Sequence, residues 1–147
     1  MNSEYVQNLI FDRTVEDLQN LTDKAYISCN DLNRIERAVK WVSYLLNQYG
    51  YRNVTDNKLN WQPGDHRTDK EMERLQQNLV SIRNAFFAPH DTPVTPAKIT
   101  YTSIYQANAI EQIIYDIATI VENMTPGQPH LAFKLGVRPL GNREEKL

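Results

Sequence analysis

The side chains of this sequence best suited to acid–base or metal chemistry are three histidines, one cysteine and a few closely spaced carboxylates. His66 stands in Pro63-Gly64-Asp65-His66-Arg67, directly before Thr68. A turn followed by a helix cap accounts for every residue there, because Asp and Gly favour turns and small polar side chains satisfy free helix amides. His90 and His130 each follow a proline. None of the three has the HxxxH, HxxE or CxxC spacing that would aim ligands at one ion, so no metal site and no cofactor are expected. Cys29 falls at a predicted helix start, where the dipole lowers a thiol pKa. Its neighbours Tyr26, Ile27 and Ser28 instead make it a small packed hydrophobe. Asp65 with Asp69 and Glu71 with Glu73 read as charges attracted to a helix N-terminus, lacking the apolar surroundings that raise a carboxyl pKa. An enzyme would have to gather Asp65, His66 and Glu71 into a pocket, and the sequence predicts no catalytic residue.

The elements that must position these groups come from one globular chain. It has 147 residues, 41% of them hydrophobic and 23% charged, enough for a single core. The formal net charge is -2, without a basic run, which argues against nucleic acid and anionic membrane as partners. A single cysteine excludes an internal disulfide and fits synthesis in the bacterial cytoplasm. The first residues lack a signal-peptide pattern, and no apolar run reaches the roughly 20 residues a membrane span needs.

Apolar residues recur at helical spacing in three segments. Leu32, Ile35, Val39, Val42, Leu46 and Tyr49 form the first stripe, with Ser28 or Asn30 as cap and Gly50 as stop. Met72, Leu75, Leu79, Ile82 and Phe86 form the second, opened by a Thr68–Glu71 capping box and closed before Pro89. Ile104, Ala107, Ile110, Ile114, Ile117, Val121 and Met124 form the third, with Ser103 and Gln106 as its box. The expected fold is all-α: a bundle of three long helices plus a short N-terminal helix from Thr14 to about Leu21, with an extended C-terminal tail. Residues 1–124 would be the bundle domain. Residues 125–147, rich in Pro and Gly, would be the tail, with a short strand near 131–137. The first long helix carries Arg34, Arg37 and Lys40, and the third carries Glu111, Asp116 and Glu122. They could lie side by side with complementary rims worth a few tenths of a kcal/mol per exposed pair, or simply be solvated.

The link 51–67 is longer than an ordinary helix connection, so it crosses a bundle end or has a function. Tyrosine and tryptophan anchor interfaces through large area and a polar tip. Tyr51 and Trp61 are the expected exposed anchors, with Tyr49 and Tyr101 beside them, for a protein partner or a second copy of the chain.

Several short motifs appear in order: Leu9-Ile10-Phe11-Asp12-Arg13-Thr14, then Asp31-Leu32-Asn33-Arg34-Ile35-Glu36, then Trp61, Thr68 and Met72-Glu73-Arg74. This order resembles a helical module of tail or baseplate structural proteins from phages and prophages of Gram-positive, often gut, bacteria. The resemblance spans residues 9 to about 124, and its motifs are not catalytic. It implies a non-enzymatic virion part, a tail assembly or attachment module that meets other tail components. The runner-up is a small cytosolic adaptor or regulator using the same aromatic surface. In physical terms Asp31 would serve free amides at its helix start. Arg13 and Arg34 would pair with Asp12, Asp17 or Glu36 and hold the N-terminal segment to the bundle.

Overall fold

The computed structural model describes residues 3–21, 27–100 and 103–124. They form five helices: α1 (Glu4–Gln7), α2 (Val15–Gln19), α3 (Cys29–Gln48), α4 (Asp69–Ala85) and α5 (Ile104–Glu122). No strand occurs among the described residues, so the all-α expectation holds. The tail, including 131–137, lies outside them. α1 was not expected: four residues are too few for a periodic signal.

Local chemistry sets the helix ends. Thr14 with Asp17 and Ser28 with Asp31 form reciprocal capping boxes. Thr68 accepts the Glu71 amide, but the Glu71 carboxylate does not return to Thr68. It binds Arg74 and Lys58 instead, because two cations outcompete one amide. Ser103 accepts from the Tyr105 amide, while Gln106 spans the Thr100 amide and the Lys98 carbonyl. α3 stops in a Schellman motif, with Tyr51 N–H on the Leu46 carbonyl and Gly50 N–H on that of Asn47. Gly50 sits at φ 91, a conformation open to glycine without strain.

The long helices share one core, in which Ile35, Val39, Val42, Leu46, Leu75, Leu79, Ile82, Ile110, Ile114, Ile117 and Val121 are fully buried. All three run in the same direction. At one end Arg67, just before α4, donates to the Ile27 carbonyl just before α3. At the other, Tyr51 after α3 meets Phe86 after α4, with ring centroids 5.0 Å apart, and Tyr49 donates to the Met124 carbonyl after α5 at 2.9 Å. Parallel neighbours force each connection to travel back the length of the bundle. The link 51–67 does so in the groove between α3 and α4, touching Ser43 through Asn53, Asn78 through Asp56 and Glu36 through Lys58. The link from residue 86 to 100 descends between α4 and α5, held by Arg83 on Pro93, Thr92 on Asp116 and Gln76 on Pro96. The N-terminal segment descends between α5 and α3, from Ser3 on Glu122 to Arg13 on Asn108. Three ascending helices and three descending straps therefore alternate around the core.

Candidate functional site

Helix positions counted from each N-cap explain how the straps are fastened. Five residues after Ser28, Thr68 and Ser103 stand Asn33, Glu73 and Asn108; eight residues after them stand Glu36, Gln76 and Glu111. The residues seven after the caps, Ile35, Leu75 and Ile110, are all at 0% exposure. Among the described residues the three straps and long helices thus form a threefold internal repeat, which carries two matching clasps.

In the first clasp the Glu36 carboxylate, at 0% exposure, accepts from the Lys58 amide at 2.9 Å and the Trp61 indole N–H at 2.6 Å. Asn33 grips the Trp61 backbone on both sides, accepting from its N–H at 2.8 Å and donating to its carbonyl at 3.1 Å. Arg74 of the next helix closes on both carboxylate oxygens at 2.6 and 2.9 Å.

The second clasp repeats this arrangement with a guanidinium in place of the indole. Glu111, also at 0% exposure, accepts from the Ile10 amide at 2.9 Å and from the Arg13 side chain at 2.6 Å. Asn108 grips the Arg13 backbone, accepting from N–H at 3.0 Å and donating to the carbonyl at 2.9 Å. Arg34 of the next helix reaches both oxygens at 3.0 Å. Each clasp satisfies a buried carboxylate with fixed donors, the condition for burying charge at all.

The third groove shows why the pair takes this form. There the strap residue facing the helix is Pro96, which has no N–H to give. Gln76 replaces the glutamate and donates to the Pro96 carbonyl at 3.2 Å, and Ala109 stands where the other repeats place Arg34 and Arg74. Without an amide to accept, a carboxylate would lack its strap donor, and without a carboxylate no arginine is called for.

The electrostatics match the geometry. Burial pushes the Glu111 carboxyl above its ordinary value, against the pull of Arg34, the Ile10 amide and Arg13. Burial works against the Arg34 cation, but Glu111 and Asp31 outweigh it and raise its pKa. Hydrogen bonding to Glu36 likewise raises Arg74. Asp31 is also penalised by burial, yet the Ser28 amide and Arg34 leave it below its usual value of 3.8. Asp31, Arg34, Glu111 and Arg13 thus form a chain of alternating charge.

Several expected sites are placed differently. Trp61, expected as an exposed anchor, is 2% exposed, because Asn33 and Glu36 draw its backbone and indole into the core. Arg34 pairs with Asp31 and Glu111 and not with Glu36, which Arg74 holds. Arg13 finds Glu111, which sequence proximity gave no reason to name. Tyr49 and Tyr51 are half-buried against the core, and Tyr101 lies outside the described residues. Asp12 and Thr68 are exposed. Asp65 and Glu71 face the Lys58 ammonium at 3.5 and 3.7 Å on the surface. The Gln62 amide is the largest influence holding Asp65 below its ordinary value, which does not suit a proton donor. His66 stands exposed beside them.

The exposed aromatic surface lies elsewhere. Trp41 stacks between Tyr5 and Tyr44, at 5.4 and 6.0 Å between ring centroids. These rings, with Arg37, Lys40 and Leu59, border an open cleft of about 370 Å³. Tyr44 is 55% exposed, while Trp41 is fixed from behind by its indole N–H on Glu122. Comparison with family models, with characterised proteins and with solved structures gives no match. Among the described residues no group of three His, Cys, Asp or Glu is placed to hold a metal, and no helix is long and apolar enough to cross a membrane.

Proposed function

We propose that this chain is a non-enzymatic structural protein of a phage or prophage tail, an assembly or attachment module of the tail or baseplate. One observation carries the reading: the charged groups most able to do chemistry, Glu36, Glu111, Arg13, Arg34 and Arg74, are used to fasten straps to helices. Such a molecule resists local opening, which suits a load-bearing part better than a moving active site. The order of its motifs, now seen as strap and clasp residues, is the order of the tail-module resemblance. In this reading 1–124 is the three-helix bundle domain with its short N-terminal helix, and the tail 125–147 joins it to other tail components. The chain is made in the bacterial cytoplasm and resides in the virion, and it binds neither nucleic acid nor membrane. Mass spectrometry of purified particles from an induced strain carrying the gene tests this: its peptides should band with intact tails. Their absence from particles would sink the reading.

The exposed Tyr5, Trp41 and Tyr44 cleft favours a second reading, a cytosolic adaptor that docks a protein partner there. In that case the chain co-purifies from the cytosol with a non-tail protein, and Trp41→Ala abolishes the complex.

A further inference from the structure

The two clasps share a register that the third groove keeps without using. Trp61 and Arg13, whose backbones Asn33 and Asn108 grip, each stand three residues after the amide that a buried glutamate accepts, that of Lys58 or Ile10. Three residues after Pro96 stands Ile99, 2% exposed, against 2% for Trp61 and 4% for Arg13. Ile99 is therefore the insert of the third groove, and it is buried as deeply as the other two.

Its backbone is served differently. The position held by Asn33 and Asn108 in the other repeats is Glu73 here, and a carboxylate has no hydrogen to give to a carbonyl. Glu73 is exposed, and its carboxylate makes no hydrogen bond or ion pair among the described residues. Neither the N–H nor the C=O of Ile99 has a hydrogen-bond partner among them. An unpaired buried main-chain group is costly, so these two groups form a demand that a ligand can meet. There is room for one. A cleft of about 550 Å³ lies between α4 and the strap, with Glu73, Ala97 and Ile99 on its walls. The formal charges around it cancel, Asp69 and Glu73 against Lys70 and Lys98.

We propose that this cleft docks an asparagine or glutamine side chain of a partner protein, whose carboxamide accepts from the Ile99 N–H and donates to the Ile99 carbonyl. The precedent is internal: a carboxamide does this to Trp61 and to Arg13, at distances of 2.8, 3.1, 3.0 and 2.9 Å. The group is uncharged, which suits the balanced walls, and it sets an acceptor beside a donor. The site rests on the internal repeat and not on the tail assignment, so either can fail without the other.

The test is a titration of the isotope-labelled full chain with N-acetyl-asparagine-N-methylamide at millimolar concentration, followed by amide spectra and hydrogen exchange. Shifts centred on Glu73, Ala97 and Ile99, with slowed exchange at Ile99, are expected. The aspartate counterpart of the probe keeps the shape and lacks the donor, so it should bind on the order of tenfold more weakly. Glu73→Asn, on an exposed residue, supplies the missing carboxamide from within. Exchange at Ile99 should then slow on the order of tenfold without any probe, and the probe shifts should vanish. An absence of shifts in the parent, shifts centred elsewhere, equal binding of the two probes, or a Glu73→Asn chain that binds the probe as the parent does would overturn the proposal.

Discussion

The Glu36 and Glu111 clasps share backbone geometry and differ in what the strap inserts. Strap 51–67 offers an indole, a neutral donor, and the single cation on Glu36 is Arg74, whose side chain is 16% exposed. Strap 3–13 offers a guanidinium, so Glu111 faces two cations, one of them Arg13 at 1% side-chain exposure. A neutral insert leaves a charge pair that can lean on water; a charged insert makes the clasp dependent on its carboxylate.

That contrast can be broken most sharply at the carboxylates. Glu111→Ala strands Arg13 in the core and should lower unfolding free energy by about 3–5 kcal/mol in urea titration. Glu36→Ala strands the Trp61 N–H, but Arg74 keeps Glu71 and reaches solvent, so a smaller loss of about 1–3 kcal/mol is expected. Equal losses would mean that strap chemistry is irrelevant. The third groove supplies a converse test: Gln76→Glu sets a carboxylate against the Pro96 carbonyl and should cost about 1 kcal/mol.

The sequence made the helices legible because Leu32 to Leu46, Met72 to Ile82 and Ile104 to Val121 keep strict helical spacing, a signal that survives without tertiary information. It also offered α3 beside α5 through opposite charges, as an alternative to solvated faces, and valued Glu111 only as a rim residue. Burial of Glu111 depends on Arg13, nearly a hundred positions away, and no local pattern reports such a partner. Trp61 misled for the same reason: in a polar loop a tryptophan reads as exposed unless Asn33 and Glu36 are known to receive it. One overlooked signal was available, the alignment of Asn33-Arg34-Ile35-Glu36, Glu73-Arg74-Leu75-Gln76 and Asn108-Ala109-Ile110-Glu111 at equal distances from three Ser/Thr caps. That repeat implies three equivalent grooves and a strap for each.

A finer contrast concerns pH. Asp31, which steadies Arg34 on Glu111, has its carboxyl depressed in the folded chain. Its contribution is present above the unfolded value of 3.8 and is lost as pH falls through the depressed one. Asp31→Asn should therefore lower stability by about 1 kcal/mol at pH 7, with the gap to the parent closing under acid. A gap constant with pH would separate Asp31 from the clasp. Smallest of all, Tyr44→Ala on the exposed cleft should change stability by less than about 0.5 kcal/mol.

Amide hydrogen exchange reads the two clasps separately. In the parent protein the amides of Ile10 and Arg13, and those of Lys58 and Trp61, are protected by Glu111, Asn108, Glu36 and Asn33. In Glu111→Gln, exchange should accelerate at Ile10 and Arg13 and stay slow at Lys58 and Trp61, and Glu36→Gln should give the reverse. Acceleration spread evenly over both straps, or none at either, would contradict the account of two independent, repeat-related clasps.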